Sequence, residues 1–227
     1  MVQLRGGPAR YRRAVGLAED RARVRAAQDL FNAAVADLTD ADARRPSRLP
    51  DWTVGHVLTH VARNADSHRR RADAAIEGRV VDQYPGGFAG RAAEIDAGAD
   101  RAAAMLVEDV HESADALESA WDGVPASAWE QTSRDVGGTA RALRELPARR
   151  WQELEVHVVD LGLGVGYEDW DEAFVTWALE RVRPTMPARL PAGACAPAPG
   201  QVERRAELAW LYGRLQRPDL PVLGPWA

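Results

Sequence analysis

Two stretches with helical spacing carry residues able to hold a metal ion. In residues 150–161, Glu153 and His157 stand four apart, almost above one another on a helix. A carboxylate and an imidazole so placed can grip one ion from a single helix. The same spacing also describes an ordinary surface pair, worth a few tenths of a kcal/mol. Trp151, Leu154, Val158 and Leu161 form an apolar face about 80° wide, with Glu153, His157 and Asp160 beside it. In residues 52–68, Val54, Leu58, Val61 and Ala65 form one face, and His56, His60, Asn64 and Ser67 form a separate polar stripe. Either His56 or His60 could join Glu153 and His157, and spacing does not choose between them. Three ligands leave coordination positions open, as a catalytic zinc site requires, although iron, nickel and manganese accept the same donors.

Other chemistries are easier to set aside. All 29 basic residues are arginine, which excludes a Schiff-base lysine. The single cysteine, Cys195, lies in a Pro/Ala-rich loop with no evident base, so thiol chemistry needs a thiol from outside. His68 and His111 have no partner at ligand spacing and read as surface residues. The net charge of −5 and the scattered arginines offer no basic stripe for nucleic acid, and 69–71 and 149–150 read as solvated helix faces. No apolar run approaches a membrane span, and residues 1–13 lack the apolar core of a signal peptide. A cytoplasmic protein, monomeric or a small homo-oligomer, is expected.

The elements that must position these residues follow from periodicity and turn signals. Apolar positions at Leu17, Val24, Leu30, Phe31, Val35 and Leu38 predict a helix over 10–38. A turn-rich link at 45–51 leads to a second helix, capped by Asp51 or Thr53 and ending near Gly78. Tyr84-Pro85-Gly86-Gly87 marks a loop, and a third helix spans 90–121 with a bend at Gly98. Another loop surrounds Gly137 and Gly138, and a fourth helix over 143–161 ends at Gly162, Gly164 and Gly166. Four such helices predict a bundle, whose core suits metal ligands from facing helices. Residues 167–227 read as helices at 171–183 and 203–214 among Pro-rich extended pieces. The expected class is therefore mainly α: a four-helix bundle over 1–166 and a small C-terminal α/β domain over 167–227.

On these residues the chain resembles the mycothiol-dependent maleylpyruvate isomerases, whose N-terminal part is a DinB-like metal-binding bundle. The resemblance rests on segments 52–66, 84–87, 91–101, 150–161, 207–214 and 220–226, which cover most of the chain. It implies a divalent metal, zinc first, on His60, Glu153 and His157, and so selects His60 over His56. Where some relatives have two adjacent histidines this chain has His157-Val158, and only the first is needed as a ligand. The resemblance also implies an important C-terminal arginine, best matched by Arg214, whose fork would hold a substrate carboxylate. Asn64, Tyr84 and Arg91 are the expected contacts to the thiol, mycothiol, with Arg91 as a further carboxylate anchor. In the implied reaction the thiolate adds to the cis double bond of maleylpyruvate, the bond rotates, and elimination gives fumarylpyruvate. The same thiol activation would serve a mycothiol S-transferase acting on another electrophile, or a metal- and thiol-binding protein without turnover.

Overall fold

A computed structural model describes residues 8–224, with side chains from residue 16. Residues 1–7 of the stretch 1–13, and Pro225 and Trp226 of the last motif, lie outside the described residues. The helices are α1 (Pro8–Val35), α2 (Asp40–Ala43), α3 (Val54–Ile76), α4 (Gly87–Gly98), α5 (Ala103–Asp122), α6 (Leu146–Asp160), α7 (Glu172–Val182), α8 (Met186–Arg189) and α9 (Arg204–Leu211). A hairpin of β1 (Thr132–Arg134) and β2 (Ala140–Ala142) pairs Ser133 with Arg141 in the loop before α6. No helix among the described residues is long and apolar enough to cross a membrane.

Helices α1, α3, α5 and α6 form the expected bundle: α3 packs along α5 and α1 along α6, with α3 on α6 and α1 on α5 closing the ring. Val57, Leu58, Val61, Ala62 and Ala65 of α3 are fully buried, as are Phe31 of α1 and Leu154 of α6. Burying each large side chain contributes about 1.5–3 kcal/mol, so this apolar face fixes how α3 is rotated. The polar stripe beside that face is turned inward at one side of the bundle.

Thr53 starts α3 with a reciprocal cap in which His56 takes the place usually held by glutamate. The Thr53 hydroxyl oxygen accepts from the His56 N–H at 3.4 Å, and His56 Nδ1 accepts from the Thr53 N–H at 3.2 Å. The expected bend at Gly98 is a full break between α4 and α5. A Cβ at Gly98 would stand 2.6 Å from Thr59 Cγ2, and one at Gly55 would stand 2.1 Å from the Ala99 carbonyl oxygen. Only glycine lets α4 come this close to α3. At the break, the Ala103 N–H donates to Asp40 Oδ1 at 2.7 Å, which satisfies one of the open donors at the start of α5.

The C-terminal part departs from the expected α/β character. Among the described residues it contains helices and coil but no strand, and the two strands belong to the hairpin before α6. Prolines 184, 187, 191, 197 and 199 remove backbone donors that a ladder would need. The tail is held by single bonds instead, such as Gly224 N–H to the Arg189 carbonyl at 2.7 Å. Phe174, Leu179, Leu208 and Leu211 join the same continuous core as α6. Trp151 and Phe174 meet edge to face at 5.3 Å where α6 meets α7.

At that junction Glu155 is buried, with its carboxylate accepting from Trp151 Nε1 at 3.0 Å. Burial pushes its pKa up to about 7, against an ordinary 4.5. The folded state therefore binds the proton more tightly than the unfolded chain. The associated stability is fully present below pH 4.5 and is lost as pH rises through 7. Glu155→Gln should remove this dependence and raise stability above neutral pH by up to about 3 kcal/mol. Urea titrations of both proteins at pH 5 and pH 8 would check it; equal differences at the two pH values would refute the assignment.

Candidate metal centre

The inward stripe of α3 and the Glu153–His157 pair of α6 meet across the bundle. His60 Nε2 lies 3.0 Å from Glu153 Oε2 and 3.1 Å from His157 Nε2, and the last two atoms are 3.4 Å apart. The imidazole rings meet edge to face, with centroids 4.6 Å apart. His60 is buried, whereas Glu153 and His157 are half-buried and face a cavity of about 680 Å³. Among the described residues this is the group whose donor atoms converge closely enough for one ion, all lying within 4.8 Å of one another.

The hydrogen bonds behind the cluster set its donor atoms. His157 Nδ1 donates to Asp160 Oδ2 at 2.9 Å, which leaves Nε2 as the atom facing the cluster. Asp160 is fully buried and also accepts from Arg214, Nε to Oδ1 at 2.9 Å and Nη2 to Oδ2 at 2.7 Å. Burial pushes His60 down to about pKa 4. Burial alone would raise Glu153, but the hydrogen bonds with His157 and His60 hold it well below the usual carboxylate range. Burial opposes the charged form of His157, and the bonds to Asp160 and Glu153 outweigh it and raise its pKa. The result is an anion and two imidazoles whose lone pairs converge, held together by shared protons. A divalent cation would replace those protons and satisfy all three donors, so the residues fit a metal.

The other residues singled out in the sequence fall in distinct places. The Arg91 guanidinium lies beside His60, its Nη2 3.2 Å from Nδ1 and 3.4 Å from Nε2, and its carbon sits 5.8 Å and 5.9 Å from the Trp52 and Tyr84 ring centres. Tyr84 is buried on the cavity wall. Asn64 is buried too, and its Oδ1 accepts from Arg150 Nη1 at 3.0 Å. His56 is committed to capping α3, which separates it from the cluster. Arg214 lines the cavity, but the two-pronged face of its fork is engaged by Asp160, and Nη1 donates to the Tyr212 carbonyl at 2.6 Å.

Three expectations of surface position need correction. His68 is buried against Trp121, with ring centres 6.2 Å apart, and lines the same cavity; His111 is exposed as expected. Arg71 and Arg150 are buried while Arg69 and Arg149 are exposed, because neighbours on a helix diverge by 100° and a run of arginines cannot share one face. Arg150 donates to the Val61 carbonyl at 2.8 Å and to Gln28 Oε1 at 3.1 Å, tying α6 to α3 and α1. The sequence signal for His68 was available: it stands four residues after Asn64, on the stripe that holds His60.

Bundle and cluster together define a class, the DinB-like helical proteins with a histidine–carboxylate centre at one side of the bundle. Comparison with known proteins narrows it. The family described as Mycothiol maleylpyruvate isomerase N-terminal domain matches residues 24–162, and the chain belongs to this family. A crystal structure of the mycothiol-dependent maleylpyruvate isomerase superposes with a TM-score of 0.82 at 21% identity, covering 92% of this chain and 97% of that one. A mutant of that enzyme with one histidine replaced by alanine gives the same TM-score and coverage at 20% identity. No protein of curated function matches the chain.

Proposed function

We propose that the protein is a mycothiol-dependent cis–trans isomerase acting on maleylpyruvate, with a divalent metal, zinc first, held by His60, Glu153 and His157. The observation that carries this reading is the convergence of those three donors on a cavity walled by arginines. The metal supplies one thing when bound: a coordinated thiol is deprotonated at neutral pH and becomes a ready nucleophile. Glu153 is ionised without it, so the site carries the negative charge that a cation requires. Asp160 holds His157 in one orientation and one tautomer, and Arg214 holds Asp160. Arg214 therefore serves as a positioning residue in this reading, and recognition of substrate carboxylates passes to other arginines. Arg91, beside His60, is placed to draw an anionic group toward the cluster. Asn64 and Tyr84 shape the wall on which the thiol would rest.

An ultraviolet assay of maleylpyruvate with zinc-loaded protein, with and without mycothiol, tests the reading. The expected result is conversion to fumarylpyruvate that requires both the thiol and the metal, with the thiol recovered unchanged. A stable thioether product would instead make the protein a mycothiol S-transferase. Binding of metal and thiol without turnover of either kind would remove it from the enzymes.

A further inference from the structure

Five arginines line the cavity beside the cluster: Arg71, Arg91, Arg141, Arg149 and Arg214. Three of them are already engaged. Arg214 is bound by Asp160, and Arg141 Nε donates to Asp135 Oδ2 at 2.8 Å. Arg71 is buried and donates to the Ser67 and Arg134 carbonyls at 3.1 Å and 3.2 Å. Arg91 and Arg149 differ, for neither has a carboxylate at ion-pair distance among the described residues. Arg91 touches His60 on the α4 side of the cluster. Arg149 lies one helical turn before Glu153 on α6, exposed enough to meet a ligand. It also lines an adjoining cavity of about 700 Å³ that shares Gln152, Glu153 and Tyr212 with the first. Partial burial and the neighbouring Arg141 both disfavour the charged form of Arg149. An anion arriving there would relieve that repulsion and form a charge-assisted bond.

We infer that Arg91 and Arg149 hold the two ends of a dianionic electrophile, so that its reacting carbons lie over the His60–Glu153–His157 cluster. This rests on the proposed function and deepens it by assigning the two carboxylates of that substrate to two named residues. Both arginines line the cavity that His60, Glu153 and His157 face, Arg91 from α4 and Arg149 from α6. A monoanion would engage one arginine and leave the other without an anion. Arg149 is then a specificity-determining residue, which the sequence showed only as half of an arginine pair.

The test uses the saturated analogue of maleylpyruvate, which keeps both carboxylates but has no double bond to attack, and its two monomethyl esters. Each is titrated calorimetrically into zinc-loaded protein without thiol. Arg149→Gln should weaken the diacid about tenfold or more, and should have no further effect on the one ester that lacks the carboxylate facing Arg149. Changes that remove the same contact do not add. With substrate, the same variant should raise KM and leave kcat within about twofold, the mark of a contact made equally in ground and transition states. Arg144→Gln, which alters an arginine paired with Glu130, should leave every affinity unchanged. Equal losses for the diacid and both esters, or no loss for any, would overturn the inference. Wild-type protein that binds the diacid in this pattern but does not isomerise maleylpyruvate would sink the proposed reaction and leave the dianion site standing.

Discussion

His60→Ala protein is expected to fold, to bind zinc more than about a hundredfold more weakly, and to lose isomerase activity to background. Substitution of groups behind metal ligands typically costs about 10–100-fold in affinity, and loss of a ligand itself should exceed that. The physical reason is geometric. His60 is the donor that α3 contributes, and without it Glu153 and His157 offer a two-point grip from one helix. Zinc affinity measured by competition with a chromogenic chelator, together with metal content after dialysis, would report the loss. The natural control is His56→Ala, which removes only the imidazole half of the α3 cap and leaves the His56 N–H bonded to the Thr53 hydroxyl oxygen, costs up to about 1 kcal/mol of stability, and should leave zinc affinity unchanged. If the two variants bound zinc equally well, the proposed centre would be wrong. The pH dependence has a definite sign as well. A ligand histidine must be unprotonated, and the raised pKa of His157 lets the proton compete. Zinc affinity should therefore fall as pH is lowered through the range where His157 gains its proton.

The second large effect is expected at Asp160, which does not face the cluster. Asp160→Asn keeps the shape of the side chain but replaces one acceptor oxygen with an amide donor, and Arg214 and His157 already point three donors at that group. The loss should be about 3–5 kcal/mol of stability, the usual consequence of removing one partner from a buried ion pair. Zinc affinity should fall about 10–100-fold because His157 is no longer held in one tautomer. Chemical denaturation and zinc competition on the same sample would separate the two effects. Arg214→Lys should restore little, since an ammonium cannot reproduce the paired bonds from Nε and Nη2. Full zinc affinity in Asp160→Asn would show that Asp160 supports the fold and not the centre.

Some of this was open to reading from the chain and some was not. Helices α1, α3 and α6 followed from apolar spacing, while the single helix expected over 90–121 is two, α4 and α5; the start of α3 falls at Thr53, one of the two caps offered, and α6 ends before Gly162, whose φ of 67° suits glycine. Glu153 and His157 were visible as a pair because both lie on one helix. The third candidate ligand was different: His56 and His60 satisfy the same periodicity, and only resemblance to a family separated them. The fold separates them physically, by giving His56 a capping bond and His60 a place facing α6. Arg150 and His68 were misplaced because their burial depends on how far α6 and α3 rotate toward their neighbours. The C-terminal part was read as partly extended because Pro-rich sequence favours extended backbone. An extended segment becomes a strand only with a partner to bond, and none of the described residues provides one there.

The division of labour among the helices has an evolutionary consequence. The three candidate donors come from α3 and α6, two of the four bundle helices, whereas Arg91 and Tyr84 come from α4 and the loop before it, and Arg214 from the turn after α9. A lineage could rebuild the α4 region to suit a new reactant while its inherited chemistry stayed intact. Relatives that share the donor triad but differ at the positions of Tyr84 and Arg91 would then be expected to share a reaction step and to differ in the reactants they accept.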